Sequence, residues 1–355
     1  MPSPAAPAAT FEAELAEKRR LATYPDVGFP RSWYAAARTR DLDRRARRGQ
    51  ALGVEMLGTR LALFRDADGT ARAVDATCPH LGADLADGRV KDGCLECPFH
   101  HWRFAPDGAL ASVPYLDADR LPKIRARSWP TDEQDGFVFV WYGGEGARGA
   151  EPEHALPPID PALRPRGWHD AGVVRMNLRE FAENSVDFAH FPELHGDMRV
   201  PWVGWKIPGL RIDHTATWEK DEARPWLATF ADDAVLRFRG KLLDWSAAAA
   251  RIRFLGPGGV VRFHFDLPKL GEIVLYQTHT PLAPLALRVR FRWLAAPRIP
   301  RLLVSYVVGN WISQWREDVR VWEGKSWRER PALVRGDGPI HALRRWYAQF
   351  EGPRP

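Results

Sequence analysis

The chain has 355 residues, 45% of them hydrophobic and 11% aromatic, and a net charge of +6 at neutral pH. Such a length and an ordinary globular composition fill more than one core, so two domains are expected. No stretch reaches the roughly 18 apolar residues of a membrane span; the apolar run Leu302 to Ile312 is short and carries Ser305, Asn310 and Trp311.

Residues 1–25 read as a tail with a short helix (FEAELAEKRRLA). Its first ten residues are rich in Ala and Pro and have no basic and apolar leader pattern, so the cytoplasm is the expected location. The basic run Arg38 to Arg48 lacks the interleaved aromatics of a single-strand nucleic-acid platform. A solvated face is expected there, and no nucleic-acid partner. If the run has a partner, an acidic electron-transfer protein fits best.

From residue 26 to 145 short β segments alternate with turns, including Arg60 to Phe64, Ala71 to Val74, Cys94 to Pro98 and Gly136 to Tyr142. These make a small all-β domain. Residues 146–166 are rich in Gly and Pro and form the expected linker. In 167–355 a helix is expected over Leu178 to His190. Alternating strands follow (LRFRGKLLDW, ARIRFLG, VVRFHFDL, EIVLYQTHT and LRVRFRWL), then helices over Ile299 to Lys325 and Pro339 to Phe350. The class is α+β: an antiparallel sheet backed by helices, behind an all-β N-terminal domain.

Three cysteines cannot build a disulfide framework, so their spacing matters. Cys78-Pro79-His80 and Cys97-Pro98-Phe99-His100 offer two thiolates and two imidazoles in two short loops. That is the ligand set of a Rieske 2Fe-2S centre, where two His replace thiolates on one iron. A structural Cys₂His₂ zinc site uses the same four residue types, but usually as a Cys-x-x-Cys with a helical His pair. Cys94 forms a Cys-x-x-Cys with Cys97 without a surrounding βαβ pattern, and a small buried thiol is the expected role.

A second constellation lies in ENSVDFAHFPELHG, residues 183–196. Asp187 and His190 share a helix face. His195 would point about 140° from His190 on an unbroken helix, so Pro192 is expected to break it and let the two imidazoles converge. A catalytic iron also needs a carboxylate. Asp318 is the best candidate, because it lies on the aromatic stripe between Trp315 and Trp322, where a carboxylate requires compensation by a cation. Glu317 is the runner-up. The glycines Gly144, Gly146 and Gly149 fit a dinucleotide fingerprint by spacing, but AEPEHALPP cannot open the necessary helix.

With these motifs in hand, CPHLG and CPFHHWRF closely resemble the two loops of Rieske proteins. The segment around Asn184, Asp187, His190 and His195 resembles the Asn-x-x-Asp-x-x-His-x₄-His signature of Rieske non-haem iron oxygenases, with Asp318 in the matching Asp-x-x-Ile/Val-Trp context. Ala83 and Phe99 stand where respiratory Rieske proteins carry a disulfide, which implies the oxygenase or ferredoxin type. His101 replaces a usual Gly, so the turn is either regular or strained; it is an alternative ligand, but the register with Cys97 favours His100. The resemblance implies a helix-grip-like catalytic domain. It also implies a 2Fe-2S cluster on Cys78, His80, Cys97 and His100, and Fe(II) on His190, His195 and Asp318. Asp187, with Asn184 nearby, would link the cluster of one subunit to the iron of the next in a head-to-tail homotrimer. O₂ would be the co-substrate, and NAD(P)H would supply electrons through a separate ferredoxin or reductase.

The C-terminal stretches YQTHTPLAPL and DVRVWEGKSWRERPALVRGDGPIHALRRWYAQF resemble the cholesterol 7-desaturase-like and 3-ketosteroid 9α-hydroxylase group, a resemblance that spans residues 25 to 350. This implies hydroxylation or desaturation of an apolar, steroid-like substrate in a pocket expected from Phe181, Phe188, Phe191, Leu194 and the helix from Trp311 to Trp322. A Rieske electron carrier without oxygenase chemistry, an aromatic-substrate hydroxylase or demethylase, and a metal-free steroid-binding protein are the alternatives.

Overall fold

The computed structural model describes residues 11–25, 28–147 and 149–352. The leader reading of residues 1–10 therefore lies outside the described residues. Helix α1 (Phe11–Leu21) is followed by three small antiparallel sheets. One pairs Ser32–Arg38 with Phe137–Tyr142 and Thr131–Gln134, and α2 (Thr39–Ala46) leads out of its first strand. A second joins Leu52–Met56, Thr59–Arg65, Ala71–Asp75 and Ser128–Trp129. The third, Arg89–Lys91, Cys94–Glu96, Arg103–Phe104 and Leu110–Ser112, carries the second cysteine loop.

The rest is built on one eight-stranded antiparallel sheet. Its spatial order is Arg164–Val174, Ala286–Ala295, Gly271–Ala283, Val260–Leu267, Lys241–Leu255, Leu227–Phe238, Lys206–Lys220 and Asp197–Arg199. Period-two alternation explains how it is used. Along LRVRFRWL, Leu287, Val289, Phe291 and Trp293 enter the core that also holds Val304, Val308, Ile312 and Trp315 of the long helix α4 (Arg301–Trp322). On the opposite face Arg290 donates to the Ala35 carbonyl (3.1 Å), and Val274, Tyr276 and Leu294 pack with Trp33, Phe137 and Trp141. The sheet thus grips α4 on one side and the three-stranded sheet on the other.

Two expectations need correction, and one strand was not anticipated. LRFRGKLLDW is not one strand: Arg239 (φ 45°) and Gly240 (φ 86°) turn it into a hairpin between two long strands. The helix expected over Leu178 to His190 stops early, as α3 (Leu178–Asn184), and turns occupy the residues that follow. Arg164–Val174 was not read as a strand because its Pro, Gly and charged residues hide any alternation.

The N-terminus of α3 is fixed by Asn177, whose side chain accepts from the Arg179 N–H while Glu180 reaches back to the Asn177 N–H. Glu180 is buried, and burial raises its pKa; Arg20 of α1 meets it at 3.3 Å. Arg20 also donates to the Trp322 carbonyl (2.7 Å) and the Glu323 carbonyl (2.9 Å), so one guanidinium caps α4 and ties α1 to α3.

Candidate functional sites

The two cysteine loops close in the same way. In each, the Cys N–H donates to the carbonyl five residues on: Cys78 to Ala83 (2.9 Å) and Cys97 to Trp102 (2.8 Å). In each, the N–H four residues on returns to the Cys carbonyl: Gly82 to Cys78 (2.9 Å) and His101 to Cys97 (3.2 Å). The returning residue is left-handed in both loops, with φ 77° at Gly82 and 58° at His101. The second loop is therefore the strained one, since a side chain occupies the conformation that glycine adopts freely.

This closure gathers the four residues. The Cys78 and Cys97 thiols are in hydrogen-bonding contact, and the His80 and His100 rings lie 4.7 Å apart. Backbone N–H groups of His80 and Leu81 point at the Cys78 sulfur, although burial still pushes its thiol up to about 11. His100 Nδ1 is buried with no hydrogen-bond partner, as an imidazole awaiting a metal would be. The chemistry of the donor set fits a Rieske cluster. Trp102 stacks on His80 (4.1 Å, 8°) and donates to Tyr115 Oη (2.8 Å), a support that the spacing of Cys and His did not reveal. His101 does not face the thiols: its Nδ1 lies 3.3 Å from Glu96, which also holds Arg89 and Arg103. Cys94 is half-buried and unpaired, and burial raises its thiol.

The second site is built by α3, the turn after it and α4. Pro192 does not break a helix here; it sits at the start of a π-helical turn, Phe191–His195. Its i→i+5 repeat brings residues five apart onto one side, which is what His190 and His195 need. Their rings are 5.1 Å apart and nearly perpendicular. Asp318 comes in from α4, with its Oδ1 3.0 Å from His195 Nε2. One ligand atom from each of His190, His195 and Asp318 lies within 4.8 Å of the others, the one such group among the described residues.

Polar satisfaction shows what the group is built for. His190 Nδ1 donates to the backbone carbonyl of Asp187, which leaves Nε2 turned toward the cluster of ligands, 3.3 Å from Asn184 Nδ2. Asp318 is 6% exposed, yet its Oδ1 makes no aligned hydrogen bond. An ionised carboxylate there is costly unless a cation meets it. Burial holds the His190 imidazole below its usual pKa, against the pull of Asp318, so it stays neutral as a ligand must. The residues fit a 2-His-1-carboxylate iron. Glu317, the runner-up, is turned to Arg199 (3.2 Å) and Arg320 (3.4 Å). Asn184 also accepts from Trp322 Nε1 (3.4 Å), and the half-buried Asp187 carboxylate makes no hydrogen bond with described residues.

Of the expected pocket lining, Phe181, Phe191, Trp311, Trp315 and Trp322 surround a narrow cavity of about 40 Å³ at the three ligands, whereas Phe188 and Leu194 do not line it. Trp311 is shared with a larger cavity of about 210 Å³, lined among others by Met198, Ile212 and Ala248 to Ala250. No helix among the described residues is long and apolar enough to cross a membrane.

Comparison with known proteins identifies the family. Residues 32–130 match the Rieske 2Fe-2S domain, and residues 140–350 match the 3-ketosteroid 9alpha-hydroxylase C-terminal domain. Cholesterol 7-desaturase of Caenorhabditis elegans is 32% identical over 350 residues, covering 94% of this chain and 79% of the relative. The oxygenase component of 3-ketosteroid-9-alpha-monooxygenase from Rhodococcus rhodochrous is 28% identical over 333 residues, covering 91% and 84%. Among solved structures, dicamba monooxygenase bound to dicamba superposes with a TM-score of 0.63 at 24% identity, covering 90% of this chain and 96% of that one. Pseudomonas putida CBB5 NdmA with caffeine gives 0.65 at 17%, covering 94% and 91%. The chain belongs to the Rieske non-haem iron oxygenases: it is an oxidoreductase with a Rieske domain followed by a catalytic half of the 3-ketosteroid 9α-hydroxylase type.

Proposed function

We propose that this oxygenase oxidises an apolar, steroid- or sterol-like substrate at an iron held by His190, His195 and Asp318, with Cys78, His80, Cys97 and His100 holding the 2Fe-2S cluster. One observation carries the reading: three ligand atoms converge, one of them on a buried carboxylate without an aligned hydrogen bond, at the wall of an aromatic cavity. When bound, the cluster supplies one-electron transfer and the iron supplies activation of O₂. The chain's own residues bind and orient. The Asp187 carbonyl fixes the His190 tautomer and presents Nε2; Trp322 and Asn184 hold one another beside it; Phe181, Phe191 and Trp315 keep the site dry. On this reading the chain divides into 26–145, 146–166 and 167–355.

Asp187 is the proposed link to a neighbouring subunit's cluster in a head-to-tail homotrimer. Support comes from its carboxylate, unpaired among the described residues, and from Leu81 (66% exposed) and Phe99 (59%), apolar side chains bared beside the cluster residues. The Gly144, Gly146 and Gly149 segment opens on a short 3₁₀ turn, Glu145–Ala147, instead of a helix. This favours electrons from NAD(P)H through a separate reductase or ferredoxin; the cytoplasm is the proposed location.

The steroid class rests on the relatives named for cholesterol and for a 3-ketosteroid, which are more similar in sequence than the two solved structures. A second reading, hydroxylation or demethylation of an aromatic substrate, is favoured by the modest cavity. Turnover of a sterol and aromatic panel with a surrogate reductase, on wild type and His195→Ala, tests both. Sterol oxidation by the wild type and none by the variant is expected. Unchanged activity in the variant overturns the ligand assignment, and turnover of aromatic compounds alone overturns the steroid class.

A further inference from the structure

The larger cavity contains a polar pair that neither metal site uses. His214, on Lys206–Lys220, and Asp232, on the neighbouring strand Leu227–Phe238, both line it. Their side chains are 6% and 11% exposed. His214 Nδ1 lies 2.9 and 3.1 Å from the two Asp232 oxygens, which assigns the ring proton to Nδ1 in the neutral imidazole. Nε2 is then a bare acceptor, and it is buried with no partner among the described residues. Asn310 Oδ1, also buried and without a partner among them, lines the same cavity.

Two unpaired acceptors in a mostly apolar cavity, whose other polar side chains are Ser246, Tyr306 and Gln314, call for a ligand that brings a donor. The cavity adjoins the iron site: His214 packs on Phe191 (5.2 Å), the residue after His190, and Trp311 lines both spaces.

We propose that His214, oriented by Asp232, anchors the hydroxyl group of an apolar alcohol and so sets which carbon faces the iron. The inference rests on the proposed apolar substrate and narrows it from steroids at large to those that donate a hydrogen bond. A ketone at the same place would set an acceptor against Nε2 and leave that nitrogen unpaired.

The test is equilibrium binding to the metal-loaded enzyme, without O₂, of cholestanol, cholestanone and cholestane, which share one skeleton and differ in a hydroxyl, a ketone or neither. Cholestanol is expected to bind at least about tenfold more tightly than the other two, the effect of leaving a buried acceptor unpaired. In His214→Phe that ratio falls to near one, and His214→Gln, whose carbonyl can accept, restores part of it. Asp232→Asn, which preserves shape, narrows the gap between alcohol and ketone because an amide can donate to Nδ1 and move the ring proton to Nε2. Equal binding of all three compounds by the wild type, or a ratio that survives both His214→Phe and Asp232→Asn, overturns the anchor while the steroid class stands. Failure of all three to bind overturns both.

Discussion

The matched closure of the two cysteine loops allows a reciprocal pair of substitutions. At Gly82 (φ 77°) an added Cβ meets nothing within 4 Å, so Gly82→Ala probes backbone angle alone. A non-glycine residue in this region costs ~1–2 kcal/mol, partly offset by ~0.4–1 kcal/mol from the stiffer unfolded chain, for a net loss of about 1 kcal/mol. His101 (φ 58°) already bears that cost, so His101→Gly recovers it. The imidazole surrendered is half-exposed, and Glu96 keeps Arg89 and Arg103, so the lost contact contributes under about 1 kcal/mol. The expected order of stability at position 101 is Gly, then His, then Ala, with Gly and Ala about 1 kcal/mol apart. Urea midpoints of the loaded protein, followed by circular dichroism and by the visible absorbance of the cluster, read that order. If His101→Gly is as destabilised as His101→Ala, the contact with Glu96 governs the loop and the backbone argument is wrong.

Other consequences follow from buried groups. Arg20→Ala leaves Glu180 without its guanidinium and uncaps α4, and is expected to cost ~2–4 kcal/mol in thermal or chemical denaturation; a loss below 1 kcal/mol contradicts the role given to this residue. Burial holds His154 and His279 at a pKa of about 4. Between 6.5 and about 4 the unfolded chain binds protons that the folded chain does not, so the stability these residues contribute falls as pH falls through that window. His154→Phe, which keeps the stack on Trp226, should lower the slope of stability against pH there by up to about 1.4 kcal/mol per unit; an unchanged slope refutes the assignment. Asn184→Ala removes the partner of Trp322 Nε1 and should cost ~1–2 kcal/mol while iron remains bound; loss of iron would make Asn184 part of the metal site itself.

What was legible in the sequence is what short-range chemistry encodes. The Cys-x-His and Cys-x-x-His loops, and Asp318 among tryptophans, announced themselves because buried thiols, imidazoles and a carboxylate have few other uses. The strands VVRFHFDL and LRVRFRWL were legible from alternation, each close to its observed bounds. The route by which His190 and His195 converge was not. Proline was expected to act as a breaker, whereas a π-helical turn has no distinct signature in residue types and is imposed by packing against α4 and the sheet. The His214–Asp232 pair was invisible for a similar reason: 18 positions apart on different strands, its members meet only through the pairing of His214 with Ala234 and the neighbouring register. The hairpin inside LRFRGKLLDW was missed because Arg-Gly is a weaker turn signal than Asn-Gly.

Metal content tests the central claim most directly. The purified enzyme should hold about three irons and two acid-labile sulfides per chain, and His195→Ala about two of each, since only the mononuclear iron is lost. Stoichiometric zinc in the wild type, or three irons retained when His195 is replaced, would contradict the account.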